Sequence, residues 1–194
     1  MKEWYTIATP PYFGDIEIGT SPVSDSSNLI GRVVNTTLYD ITGDPSQQYL
    51  KLYFQVTDVK GQKAITIFKG HEYSRDYLRS LVRRGSTRID TIINVSVEDK
   101  YVIRSSVVIF SVLRVKASQI SEFRKIVKKN LEQKTETLKF DQFVQEVVLG
   151  KIASDIYNEA KKVAPIRHVG IRKTKLIAFP IEKVEASSPE AKAK

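Results

Sequence analysis

The sequence predicts an α+β fold: a mostly antiparallel β-barrel, one inserted basic helix and a C-terminal group of packed helices. Three observations carry this. Up to residue 115 the apolar residues alternate, or cluster in short β-branched runs bounded by turn residues. The one interruption, residues 75–84, repeats its leucines at helical spacing. Beyond residue 118 three successive segments keep a 3.6-residue apolar period.

In chain order, a strand over 4–9 stops at Pro10-Pro11, and a longer one over 29–38 carries Val33, Val34, Thr36 and Thr37. Residues 49–59 alternate, with Leu50, Leu52, Phe54 and Val56 on one face and Tyr49, Lys51, Tyr53, Gln55 and Thr57 on the other. Lys60-Gly61 turns this strand back into 64–69. Strands over 91–97 and 101–115 flank a turn at Glu98-Asp99-Lys100. Closing such strands into a barrel removes exposed edges.

The inserted helix sits in GHEYSRDYLRSLVRRGSTRID, residues 70–90. Ser74 is a good N-cap, and Asp76 suits the positive end of the helix dipole. Leu78, Leu81, Val82 and Tyr77 form an apolar face that is expected to be core, beside Arg75, Arg79 and Arg83 at i, i+4 and i+8. Like charges in such a row repel, so an anionic partner would explain it. Arg84 and Arg88 carry the charge through a Gly85-Ser86-Thr87 turn.

Farther on, Ser118 is expected to cap a helix with Ile120, Phe123, Ile126, Val127 and Leu131 inside, and with Arg124, Lys125, Lys128 and Lys129 outside. Two charge-balanced helices, 140–149 and 151–163, hinge at Gly150 and stop before Pro165; Phe143, Val147, Ile152, Ile156 and Tyr157 should pack inward. Residues 166–179 form a last strand holding Arg167, His168, Arg172, Lys173 and Lys175. One domain over 1–182 and a disordered tail over 183–194, rich in Ala, Ser, Pro, Glu and Lys, complete the expectation.

At 194 residues the chain can bury a sizeable core, and its net charge of +9 is clustered. Residues 70–88 hold five arginines against two carboxylates, 117–139 six cations against three, and 164–194 seven against three. Such blocks are the footprint of a polyanion, nucleic acid foremost. The absence of cysteine excludes disulfides, thiol catalysis and thiolate metal sites. His71-Glu72 lacks a second histidine at helical spacing, His168 stands alone, and Gly14, Gly19, Gly31 and Gly43 make no phosphate loop. Asp40, Asp44, Glu98 and Asp99 fall in turns. The expectation is a binding protein without metal, cofactor or catalytic site; a nucleic-acid-processing enzyme would need an acidic metal cluster. No apolar run reaches membrane-span length and no signal-peptide core opens the chain, so a cytoplasmic location is expected.

Beyond these patterns, the GHE at 70–72 followed by DYLRSLVRR at 76–84 resembles the signature of the archaeal and eukaryotic small-subunit ribosomal protein family called eS-one. The likeness runs through WYTIATP near the start, IGRVVNTTLYDITGD at 30–44, GKIASDIYNEAKKVAPIR at 150–167 and IRKTK at 171–175, in order over most of the chain to about residue 180, in a compact archaeal form. The resemblance implies a structural, non-enzymatic constituent of the small ribosomal subunit, a β-barrel with flanking helices. Such a protein binds ribosomal RNA on the platform near the messenger exit, beside neighbouring platform proteins and in reach of mRNA, in the cytoplasm and away from membranes. RNA contact would fall to Arg75, Arg79, Arg83, Arg84, Arg88, Arg124, Lys125, Lys128, Lys129, Arg167, Arg172, Lys173 and Lys175. The chain departs from the family pattern in three places. Only Met1, Lys2 and Glu3 precede the WY pair where relatives carry a Lys-rich arm, Gly85 stands where a third basic residue is usual, and His168 where arginine is common. The residues taken alone also allow a non-ribosomal nucleic-acid-binding or protein-interaction module.

Overall fold

The computed structural model of the protein describes residues 2–179. Its strands are β1 (Glu3–Ala8), β2 (Glu17–Val23), β3 (Val33–Thr37), β4 (Leu50–Lys60), β5 (Lys63–Tyr73), β6 (Arg88–Ser96), β7 (Val102–Ser111) and β8 (Ile166–Ala178). Its helices are α1 (Leu38–Thr42), α2 (Arg75–Leu81), α3 (Ala117–Thr137), α4 (Phe140–Val148) and α5 (Lys151–Ala160). The alternation of 50–56 makes that part of β4 half-buried, the pattern breaks at the register shift between Val56 and Asp58, and Gly61, with φ +61°, closes the hairpin to β5.

β5 organises the sheet. One edge pairs with β4 along its length, while the other is shared: residues 63–65 take β1 in parallel and residues 70–72 take β8 antiparallel. The strand path is β2-β1-β5-β8-β7-β6, with β3 and β4 branching from β5. The expected barrel is therefore corrected to an open, mixed eight-stranded sheet, because no ladder joins its outer strands β2, β3 and β6 to one another. The edges are blunted otherwise: Pro22 lies in β2, β3 has only five residues, and β6 displays Arg88 and Asp90.

At the short β5–β8 junction His71 is fully buried. Its Nε2 lies 2.8 Å from the Ile171 carbonyl and its Nδ1 2.8 Å from Thr174 Oγ1. A carbonyl only accepts, so Nε2 carries the proton and donates to Ile171, while Nδ1 accepts from the threonine hydroxyl. Burial pushes the His71 pKa down to about 4. The neutral ring is therefore part of the junction.

Helices α3, α4 and α5 cover one sheet face. Phe123, Val127, Leu131, Phe143, Ile152 and Ile156 meet Leu52, Phe54, Phe68, Ile103, Ile109 and Leu176 in one buried cluster. A smaller cluster of Tyr5, Ile7, Val23, Leu29, Val56 and Ala64 lies where β1 joins β5. Lys134 ties the helices together, 3.0 Å from Asp155 and 3.4 Å from Glu146. Gly150, at φ +80°, makes the expected hinge between α4 and α5.

Several boundaries differ for local reasons. The strand expected over 29–38 shrinks to β3 because Ser26–Leu29 forms a 3-10 turn and Thr37 and Asp40 cap α1 reciprocally, ending extended backbone at Thr37. Lys116, not Ser118, precedes α3, whose third residue Gln119 accepts from the Lys116 amide at 3.2 Å. β7 stops at Ser111, where the hydroxyl accepts from the Thr87 amide. β2 had no β-prone signature; Gly19 and Pro22 hide a strand that forms because the β1 edge offers it a ladder. The tail expected over 183–194 lies outside the described residues.

Two outcomes follow from this packing. Ile156→Asp places a carboxylate in the helix–sheet core and should lower stability by about 3 kcal/mol or more, measured by thermal denaturation; an unchanged melting curve would contradict the packing. His71 is neutral when folded and takes up a proton near pH 6.5 when unfolded. Its contribution is complete above that pH and is lost as pH falls toward 4, a difference of about 3 kcal/mol that should vanish from the pH–stability profile of His71→Gln.

Candidate nucleic-acid interface

Directly opposed residues of paired strands share a face, so the registers define the sheet surface away from α3–α5. Asn94, Arg104, Lys175, Gly70, Tyr53 and Asn35 stand in one row across β6, β7, β8, β5, β4 and β3. The next row holds Ile92, Ser106, Lys173, Glu72, Lys51 and Thr37. The register of β8 slips at Arg172, so the buried positions change from Val169 and Ile171 to Thr174 and Leu176 while Lys173 and Lys175 reach the outer face.

Against the end of this face lies α2. Ser74 caps it as expected, its hydroxyl accepting from the Tyr77 amide at 3.3 Å. The rest of the expectation is corrected. The helix ends at Leu81 rather than residue 84, so Arg83 does not continue the row of Arg75 and Arg79. No residue of α2 is fully buried: Leu78 and Leu81 are half-buried, and Val82 is 50% exposed. Tyr77 anchors the helix instead, stacked on Tyr49 with ring centroids 3.9 Å apart and edge-on to Tyr73 at 5.5 Å. Burial beside Tyr49 pushes its hydroxyl pKa up to about 12.

The apolar side of α2 thus floors a groove rather than filling a core. Leu78 and Val82 line an open cleft of about 200 Å³ together with Arg75, Arg79, Arg88 and Arg172. Four guanidinium groups from α2, β6 and β8 converge there, although almost a hundred residues separate the first from the last. Arg88 shares its charge with Asp90, 3.0 Å away, and Lys173 with Glu72, also at 3.0 Å. Arg83 and Arg84 are exposed just past the helix, before Gly85 at φ +79°.

Arg104 belongs to this surface and was missed. It faces Lys175 across the β7–β8 ladder and donates to Asn94 Oδ1 at 2.9 Å. A lone charge in the apolar run 102–111 was the available signal. Like charges directly opposed in a sheet are destabilising, so this pair repeats on the strands the demand for an anion made by Arg75 and Arg79 on the helix.

The middle block lies elsewhere. Arg124, Lys125, Lys128 and Lys129 are all exposed on α3, and Lys128 reaches Glu132 at 3.6 Å. Because Phe123, Val127 and Leu131 pack on the inner sheet face, these four cations point away from the groove, on the other side of the sheet. Arg167 is half-buried, its guanidinium 6.0 Å from the centre of the Phe110 ring. The structure brings Arg172 of the third block to the arginines of the first and separates the second block from both. Among the described residues no group of His, Asp and Glu could hold a metal ion, and no helix is long and apolar enough to cross a membrane.

Cations thus gather on the outer sheet face and beside α2, offset in part by Asp90 and Glu72. The chain belongs to the Ribosomal S3Ae family, whose model matches residues 1–180. It is similar to proteins named small ribosomal subunit protein eS1: 47% identical to that of Staphylothermus marinus, with 93% of this chain and 85% of the relative covered. Against the Saccharolobus solfataricus protein it is 44% identical, covering 97% and 92%. Against that of Sulfurisphaera tokodaii it is 46% identical, covering 93% of each. The family is one of structural ribosomal proteins, not enzymes.

The half-buried α2 leucines set a testable scale. Leu81→Ala should cost about 1 kcal/mol, well below the 2–5 kcal/mol expected for Ile156→Ala in the full core. Tyr77→Ala should lower the melting temperature more than Leu81→Ala does. Equal losses for Leu81 and Ile156 would restore α2 to the core.

Proposed function

We propose that this protein is a structural component of the small ribosomal subunit in the cytoplasm, and that it binds ribosomal RNA on the platform near the messenger exit. The observation that carries the RNA contact is the convergence of Arg75, Arg79, Arg88 and Arg172 on one open groove beside Arg104 and Lys175. Guanidinium forks hold phosphate oxygens in planar, two-point contacts, and the sheet fixes their spacing, so a folded RNA backbone can be matched in shape and charge. Arg83 and Arg84 extend that contact past the helix. Arg124, Lys125, Lys128 and Lys129 take a second RNA segment on the opposite side, which makes the protein a wedge between two strands of the subunit RNA. Arg167, half-buried against Phe110, contributes at the edge, and Lys173 partly, through its pair with Glu72. Neighbouring platform proteins, and the messenger passing the exit, are the remaining partners.

The test is a salt titration on a fragment of small-subunit ribosomal RNA. Removing one phosphate-binding side chain should flatten the slope of log K against log salt by about 0.7–0.9. Arg79→Ala with Arg172→Ala should therefore shallow the slope by about 1.5, with melting temperatures recorded in parallel because Arg79 is exposed and Arg172 half-buried. Arg124→Glu with Lys128→Glu should weaken binding independently. A slope unmoved by either pair would remove the RNA role from these residues.

A further inference from the structure

Opposite the arginine groove of α2, on the far side of the tyrosine cluster, a second depression of about 460 Å³ opens between β8 and the start of α5. Its wall is aromatic. Tyr49, Tyr73 and Tyr157 line it, with His168 beside them. Tyr49 and Tyr73 are already in ring contact with each other, whereas Tyr157 makes no ring contact with another aromatic among the described residues. Its floor carries one cation, Arg167, and two unsatisfied atoms. Arg167 Nη2 and His168 Nε2 are sealed from solvent and have no hydrogen-bond partner. A guanidinium remains charged throughout the physiological range, and the half-buried Arg167 lines the depression with one donor unmade, so the part of it that faces the space can take an acceptor from outside the chain.

No carboxylate lines this space. The two acidic residues of α5 that could have neutralised it are engaged elsewhere: Asp155 with Lys134 at 3.0 Å, and Glu159 with the Asn130 amide at 2.8 Å. The remaining wall includes the first turn of α5, where Gly150 provides no side chain to cap the helix amides, together with Leu149, Asn158 and Val169. Burial, and then the Arg167 charge, lower the His168 pKa, so its ring is neutral near pH 7 and can accept or donate.

We propose that this depression holds one unstacked nucleotide of single-stranded RNA, with its base on the ring of Tyr157, its phosphate on Arg167 and its base edge read by His168. An aromatic face, a guanidinium and one reversible donor–acceptor within a single pocket are what a splayed base with its backbone phosphate requires. An acidic peptide would satisfy Arg167 and leave the aromatic wall without a planar partner. The inference rests on the RNA-binding reading above and adds a discrete base site to the electrostatic surface.

The experiment has two arms on the full chain. In the first, adenosine 5′-monophosphate and inorganic phosphate are titrated separately against the 15N-labelled protein. The nucleotide should shift the amides of Gly150, Ala153, Ser154 and Arg167, and Tyr157→Leu, which keeps an apolar side chain but removes the π face, should abolish most of that shift. In the second, Tyr157→Leu and Arg167→Gln should each weaken binding to the ribosomal RNA fragment about tenfold or more, as expected for one stacked base, with melting temperatures recorded in parallel. Phosphate alone reproducing the whole shift pattern, or the nucleotide leaving these amides unmoved, overturns the base site. So does fragment affinity unchanged in Tyr157→Leu. Failure of the wild type to bind the fragment at all would instead overturn the RNA reading, and the mononucleotide arm keeps these two outcomes apart.

Discussion

The structure depends on a junction only three residue pairs long, where Gly70, His71 and Glu72 of β5 meet Lys175, Thr174 and Lys173 of β8. Everything C-terminal to β5 in the sheet hangs from it, since β7 and β6 reach the rest only through β8. Three different interactions secure it. The His71 ring bridges Ile171 and Thr174 inside the protein, Lys173 pairs with Glu72 outside, and a side chain at Gly70 would collide with the Thr174 carbonyl oxygen, so the strands approach as closely as they do only because that position is glycine. A polar ring held by two neutral hydrogen bonds satisfies every buried donor and acceptor it brings, which is the condition for a polar group in a core.

That junction also builds the basic outer surface. The register it sets aligns Lys175 with Arg104 on one side and with Gly70 and Tyr53 on the other. The slip at Arg172 then releases an arginine from the alternation at the point where it meets Arg75, Arg79 and Arg88. Fold and charge pattern are coupled: a one-residue change in register would turn Lys173 and Lys175 inward and bury their charge. The rows of like charge on α2 and across β7–β8 cost the isolated protein stability, and a bound polyanion would return it.

An open sheet with cations on both sides suits a component that lies between other parts of an assembly. The inner face is closed by α3–α5 and the outer face only partly by α2, so the two basic surfaces differ in character. On α3 the charges are solvent-exposed, with Lys128 near Glu132 on the same helix. On the sheet they are held by ladder, ion pair and stacked tyrosines, and the precision of their spacing comes from β-structure rather than from the side chains themselves.

Most elements were legible because secondary structure is written locally. The alternation of 50–56 and the 3.6 period of 123–131 depend on neighbours a few residues away, and both stand as read. Gly150 and Ser74 likewise announced a hinge and a cap, and the three charged blocks were visible by counting. The barrel was misread because closure depends on which distant edges pair, and the β5 edge was divided between β1 and β8. The leucines of α2 were misplaced for a related reason: periodicity shows that a helix has an apolar face, but not whether core or groove receives it. Convergence of Arg75 with Arg172, the membership of Arg104, and the pocket between Tyr157 and Arg167 all arise from strand register and helix docking between residues far apart in the chain. Sequence alone determined what each segment could become and how charge was distributed along it; tertiary structure decided which charges share a surface, because proximity in space is set by long-range pairing that no local pattern encodes.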